Sequence, residues 1–170
     1  MWIICRGSFI RRQFEILREG NIMEIIRLKT KKLDERAHMP VYASETAAGM
    51  DLYALTPVPV IIRPGETVMI HTGLAMEIPE GYAGFVYARS GMAVKSGLAP
   101  ANKVGVVDSD YRGEIMIALH NHSDQERVVE DGDRVAQMVI SPVQRAWVVE
   151  CDTLSDTERG EGGFGSTGEK

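Results

Sequence analysis

Cysteine is scarce. The 170 residues contain two, Cys5 and Cys151, far apart and in no Cys-x-x-Cys pair. This argues against a disulfide scaffold and a structural zinc site, and it suits a reducing cytoplasm. Cationic excess is also missing: Lys plus Arg is 19 against 24 for Asp plus Glu, a net of −5. Affinity for a nucleic acid backbone draws on an excess of cations, so no nucleic acid partner is expected. No apolar run approaches the roughly 18 residues of a membrane span, so no membrane partner is expected either. The N-terminus does not read as a signal peptide. Met1 to Cys5 is apolar, but Arg6, Arg11 and Arg12 follow at once, with no apolar h-region of roughly 7 to 15 residues and no small-residue cleavage site. Internal repeats are absent.

What is present is the balance of a soluble globular protein, 44% apolar and 25% charged. The length fits one domain that buries about 70% of its unfolded surface. Residues 1–22 differ in character. They carry Arg6, Arg11, Arg12 and Arg18 against Glu15 and Glu19, a net of +2, which leaves −7 for the rest. Met23 is the expected natural start, since Arg18-Glu19-Gly20 can be encoded by a purine-rich, ribosome-binding-like stretch; a flexible or helical arm is the other reading. Residues 23–152 are expected to form the folded body, with a first strand in Met23 to Lys29. Residues 153–170 form a Gly-rich tail, with five glycines among the last eleven residues.

Within the body, β-rich runs alternate with turn residues. Val58 to Ile62, Thr67 to Ile70, Leu74 to Ile78, Ala83 to Ala88, Val104 to Val107, Glu114 to Leu119 and Val135 to Ile140 read as strands. Arg63-Pro64-Gly65, Pro79-Glu80-Gly81 and Asp131-Gly132-Asp133 read as turns. Short strands at this spacing predict an all-β sandwich or barrel. Ser90 to Lys95 reads as one short helix with Ser90 at its N-cap.

Several motifs carry chemistry, each with a plain structural alternative. Gly163-Phe164-Gly165-Ser166-Thr167-Gly168 has the spacing of a dinucleotide fingerprint, but that pattern needs a following helix, and only two residues remain. It is not a P-loop, because Glu169 stands where Lys is required. The run is either a loose tail or a nest of N–H groups for phosphate, helped by Ser166, Thr167 and Arg159. Asp108-Ser109-Asp110 is either a turn or a carboxylate set that orients water or meets a metal. Tyr111 is a core aromatic or a flat wall for a ring, and spacing alone favours the core. Asp51 is a structural strand-edge Asp or a site carboxylate. Arg89-Ser90-Gly91 is an anion site at a helix start or a cap beside a solvated Arg. Asp133 and Arg134 read as a surface ion pair, Lys29, Lys31 and Lys32 as a solvated face, and His120 with His122 as a strand edge without a third ligand.

The order of these motifs is more specific than any one of them. The chain runs Ala48-Gly49-Met50-Asp51-Leu52-Tyr53-Ala54, then Ala88-Arg89-Ser90-Gly91-Met92-Ala93. Gly105-Val106-Val107-Asp108-Ser109-Asp110-Tyr111-Arg112-Gly113 and Gly132-Asp133-Arg134-Val135-Ala136-Gln137-Met138 follow. Arg159-Gly160-Glu161-Gly162-Gly163-Phe164-Gly165-Ser166-Thr167-Gly168 closes the series. This closely resembles the five ordered motifs of the trimeric dUTP pyrophosphatases (dUTPases) over roughly Met23 to Gly168. Ala88 and Met92 stand where Pro and Leu are also common in the family, both apolar exchanges.

The resemblance implies an all-β, jelly-roll-like barrel and a cytoplasmic homotrimer whose active sites are each shared by the subunits. It implies hydrolysis of dUTP to dUMP and pyrophosphate with Mg²⁺ on the triphosphate. By the same resemblance Asp108 holds the attacking water and Tyr111 stacks under the deoxyribose. Asn102 and the backbone around Gly105 and Val106 read uracil, with Lys103 at the hairpin tip. Arg89, Ser90, Gly91 and Gln137 meet the phosphates. Asp51 reaches Mg²⁺ through water or supports the second motif. Arg159 meets the γ-phosphate, Phe164 stacks on uracil, and Gly165, Ser166 and Thr167 close over the triphosphate. Two other readings compete: a deoxycytidine triphosphate deaminase, or its bifunctional form, on a related fold, and a catalytically idle trimer that regulates through protein contacts.

Overall fold

A computed structural model describes residues 25–163. Eleven strands and one helix follow one another: β1 (Lys29–Lys32), β2 (Val41–Tyr42), β3 (Met50–Tyr53), β4 (Val60–Ile62), β5 (Thr67–Glu77), β6 (Tyr82–Tyr87), α1 (Ser90–Ser96), β7 (Leu98–Pro100), β8 (Val104–Val107), β9 (Glu114–Asn121), β10 (Arg127–Val129) and β11 (Arg134–Pro142). Alternation dictates the inward face. In β9, Ile115, Ile117, Leu119 and Asn121 are buried while Glu114, Met116, Ala118 and His120 are not, the period-two pattern of a half-buried strand.

Every paired strand is antiparallel. One sheet has the order β1-β5-β9-β7, a second β2-β3-β11-β6-β8, and a two-stranded piece joins β10 to β4. All three contribute to one core, with Leu52, Ile62, Leu74, Leu119, Val129 and Met138 fully enclosed. The architecture is the jelly-roll-like all-β fold the sequence predicts, built from separate sheets around a shared core rather than from one closed hydrogen-bonded barrel. Among the described residues no helix is long and apolar enough to cross a membrane.

Three expectations are corrected. Thr67 to Ile70 and Leu74 to Ile78 are halves of the single strand β5; Gly73, at φ +66°, carries a bulge between them rather than a turn. The first described strand starts at Lys29 and takes in the basic run, while the expected strand from Met23 to Lys29 lies partly outside the described residues and is not a strand over Ile25 to Leu28. The N-cap of α1 is Arg89, extended at φ −84° and ψ 126° and without a side-chain capping bond; Ser90 is already helical. Of the two readings of Asp108-Ser109-Asp110, the turn is present, closed by the Tyr111 N–H donating to Asp108 O at 3.2 Å.

Residues 143–163 carry no strand, and Trp147, Val148 and Leu154 are almost fully exposed.

Candidate active site

The predicted residues fall into two groups. The first surrounds a cavity of about 260 Å³ lined by Asn102, Gly105, Val106, Asp108 and Tyr111 among others. The turn between β7 and β8 forms one wall; β7 pairs with β9 and β8 with β6, so the hairpin the resemblance implies is a link between two sheets. Its tip is tight: Lys103 N–H donates to Pro100 O at 3.1 Å, Val104 N–H donates to Asn102 O at 2.6 Å, and Lys103 takes φ +64°. A Cβ on Gly105 would meet Asn102 Nδ2 at 3.0 Å and Val86 Cβ at 3.3 Å. A side chain there would therefore crowd Asn102. Asp108 is exposed just past β8, and Tyr111 is 41% exposed, so Tyr111 is a wall of the cavity and not a core aromatic.

The second group is knit by Asp51, which is only 4% exposed. Arg89 Nε donates to its Oδ1 at 2.7 Å, and Arg134 Nη1 donates to its Oδ2 at 3.3 Å. The pairing of Arg134 with Asp133 expected from their adjacency is absent, because Asp133 Oδ2 instead accepts the Glu130 N–H at 2.9 Å. Gln137 lies opposite Asp51 in the β3–β11 register and donates Nε2–H to Ala88 O at 2.9 Å. A Cβ on Gly49 would stand 2.8 Å from Gln137 Oε1, so Gly49 leaves the room this amide occupies. Ser90 and Gly91 are exposed beside this cluster, as the first two residues of α1.

Arg159 lies in the exposed final segment, where its Nε donates to Gly162 O at 2.7 Å. Phe164, Gly165, Ser166 and Thr167 lie outside the described residues.

Sequence reasoning missed several cavity residues, Met69, Glu114, Met116 and Ala118 among them. The signal was available in β9, where Glu114, Met116 and Ala118 alternate with the buried Ile115 and Ile117 and must share the outer face. Glu114 also holds the sheet. Its Oε1 accepts the Gly73 N–H at 2.7 Å, and its Oε2 pairs with His71 Nδ1 at 2.9 Å. Burial acts to raise its pKa, but these bonds outweigh that effect and hold the carboxyl below its ordinary value.

The dUTPase family model matches residues 35–168. The chain belongs to the dUTPase family. The deoxyuridine 5'-triphosphate nucleotidohydrolase of a Hydrogenobaculum species is 50% identical over 145 residues, 85% of this chain and 100% of that protein. That of Syntrophotalea carbinolica is 47% identical over 146 residues, 86% of this chain and 99% of that protein. Among solved structures, a mutant dUTPase of Staphylococcus bacteriophage 80alpha with dUpNHpp shares the fold. Its TM-score is 0.74 at 30% identity, over 84% of this chain and 98% of that one. Another dUTPase structure, from phage phi11 of S. aureus, concerns the coordination of a structural Mg(II) ion; its TM-score is 0.67 at 28% identity, over 75% of this chain and 98% of that one. The order of motifs read from the sequence thus falls on a dUTPase fold.

Proposed function

We propose that the protein hydrolyses dUTP to dUMP and pyrophosphate in homotrimeric, subunit-shared sites, limiting uracil in DNA and supplying dUMP for thymidylate synthesis in the cytoplasm. One observation carries the reading: Asp108 and Arg89 lie beyond opposite ends of β6. Val107 pairs with Gly84, so Asp108 follows at the Ala83 end, whereas Arg89 lies beyond Tyr87 at the other end. Six extended residues span about 20 Å. A water-orienting carboxylate must work within hydrogen-bond reach of the reacting water, and Ser90 would have to contact the same phosphate chain. One copy of the chain cannot bring Asp108 and Arg89 to one α-phosphate. A neighbouring copy supplies the missing half.

In this reading the base enters the 260 Å³ cavity beside the β7–β8 turn. Asn102 and the backbone at Gly105 and Val106 read uracil's alternating acceptors and donor. Thymine is refused by its methyl group and cytosine by its inverted hydrogen bonding. Tyr111 lies under the deoxyribose and leaves no space for a 2′-hydroxyl. Asp108 orients a water and accepts its proton as the oxygen attacks the α-phosphorus, with pyrophosphate leaving. Arg89, Ser90, Gly91 and Gln137, contributed by the neighbour, hold the phosphates. Arg159 and the tail residues Phe164 to Thr167 close over them and exclude water.

Mg²⁺ keeps most of its waters and binds chiefly through phosphate oxygens. The donor set suits an ion carried in by the triphosphate. Among the described residues no group of three or more His, Cys, Asp or Glu converges, and each Asp51 oxygen, already holding one N–H, retains a lone pair for a metal-bound water. When bound, the ion would neutralise charge on the triphosphate. Asp51 would serve it through water while keeping Arg89 in place.

The direct test is Asp108→Asn. Its turnover should fall by about 10²–10⁴-fold, the usual worth of positioned proton transfer, with dUTP binding preserved in a calorimetric titration. Near-normal turnover would remove Asp108 from the mechanism.

A further inference from the structure

Glu114 belongs to none of the sequence motifs assigned a role, yet it links the cavity to the sheet behind it. Tyr111 is 41% exposed, so packing alone does not fix its ring. Its hydroxyl donates to the main-chain oxygen of Glu114 at 3.0 Å. The ring lies over Gly113, with Cζ only 2.6 Å from where a Gly113 Cβ would stand. The tyrosine is therefore held at its far end by the backbone of residue 114.

That backbone is in turn held by its own side chain. The β5–β9 ladder pairs His71 with Met116 and resumes at Ala75 with Glu114, leaving Thr72-Gly73-Leu74 opposite Ile115. Thr72 Oγ1 donates to Ile115 O at 2.6 Å, and the Glu114 carboxylate accepts the Gly73 N–H and pairs with His71. Gly73 is itself tied to the chain before it, its carbonyl accepting the Leu33 N–H at 2.8 Å, and a Cβ there would stand 2.9 Å from the Cβ of the buried Ala37. Glu114 thus ties the tyrosine to the bulge.

We propose that Glu114 is a positioning residue for Tyr111, and that it sets the discrimination between deoxyribose and ribose by fixing the height of the tyrosine wall. The inference rests on the reading of Tyr111 as the deoxyribose wall. A pocket that must refuse an added hydroxyl by shape achieves about 10²-fold, and displacements near 1 Å are enough to forfeit much of such an effect. Loosening the carboxylate anchor lets the 114 carbonyl tilt and the ring drop.

The test compares kcat/KM for dUTP and UTP in the full-length chain, its Glu114→Ala and Glu114→Gln variants, and Tyr111→Ala. Glu114→Ala should lower the dUTP preference about tenfold, by improving relative use of UTP. Glu114→Gln, which keeps an acceptor for the Gly73 N–H, should lower it about threefold. If Glu114→Ala does not fold, Glu114→Asp, one methylene too short for Gly73, carries the same tenfold expectation. A merely structural role would weaken both substrates equally, and an unchanged ratio in the Glu114 variants beside a collapsed ratio in Tyr111→Ala would overturn the inference alone. An unchanged ratio in Tyr111→Ala would overturn the deoxyribose reading, and the inference with it.

Discussion

A carboxylate that is 4% exposed needs hydrogen-bond partners, and Asp51 has two guanidinium groups. Arg89 and Arg134 are themselves partly open to water, their side chains 25% and 48% exposed. Screening there reduces what the cluster is worth below the figure for a fully buried pair. Asp51→Asn replaces one acceptor with a donor facing an arginine. It should cost about 1–3 kcal/mol in denaturant unfolding and raise the KM for dUTP, because Arg89 loses its anchor. Unchanged stability and KM would mean that Asp51 does not organise the phosphate side. At this scale the motif order made Asp51, Arg89 and Gln137 legible, but not their partners. Arg134 sits beside Asp133 in the chain, yet its register against β3 slips between Arg134 and Ala136, and such a slip is invisible in spacing. Tyr111 was read toward the core for a similar reason: an aromatic after a β-rich run has the pattern of packing, and only the Asp108 turn sends it outward.

Strands with clean alternation were legible as elements, and β6, β8, β9 and β11 fall close to their sequence reading. β5 was not, because Gly73 resembles a turn residue when only local propensity is considered. Its bulge is specified by distant groups, the Glu114 carboxylate and Thr72 on Ile115. The strand pair β3–β11 makes a prediction of its own. Gly49 precedes β3 and leaves space for the Gln137 amide on β11. In Gly49→Ala the methyl group meets the flexible end of Gln137, so the side chain should swing off Ala88 O while the sheet survives. Stability should change by less than about 1 kcal/mol, and KM should rise about tenfold, the loss of one charge-assisted contact to phosphate. A large loss of stability with KM unchanged would show that the glycine serves packing and not the amide.

For the molecule as a whole, the sequence made the all-β fold legible but not the geometry of sharing. Spacing along a chain does not reveal that Asp108 and Arg89 bracket one strand. That follows from the β6–β8 register. Under the proposed function, each copy offers half-sites that assembly joins. The chain's net charge of −5 gives no general attraction for a polyanion, so that proposal assigns the triphosphate to local cations, Arg89 and Arg159 among them. The central claim is dUTP hydrolysis with selection at the β7–β8 turn and at Tyr111. The most direct measurement is pyrophosphate release with Mg²⁺ from dUTP, dTTP, dCTP and UTP in parallel, with ammonia followed in the dCTP sample. The account predicts release from dUTP and little from the other three. Ammonia from dCTP, or silence on all four from a folded trimer, would contradict it.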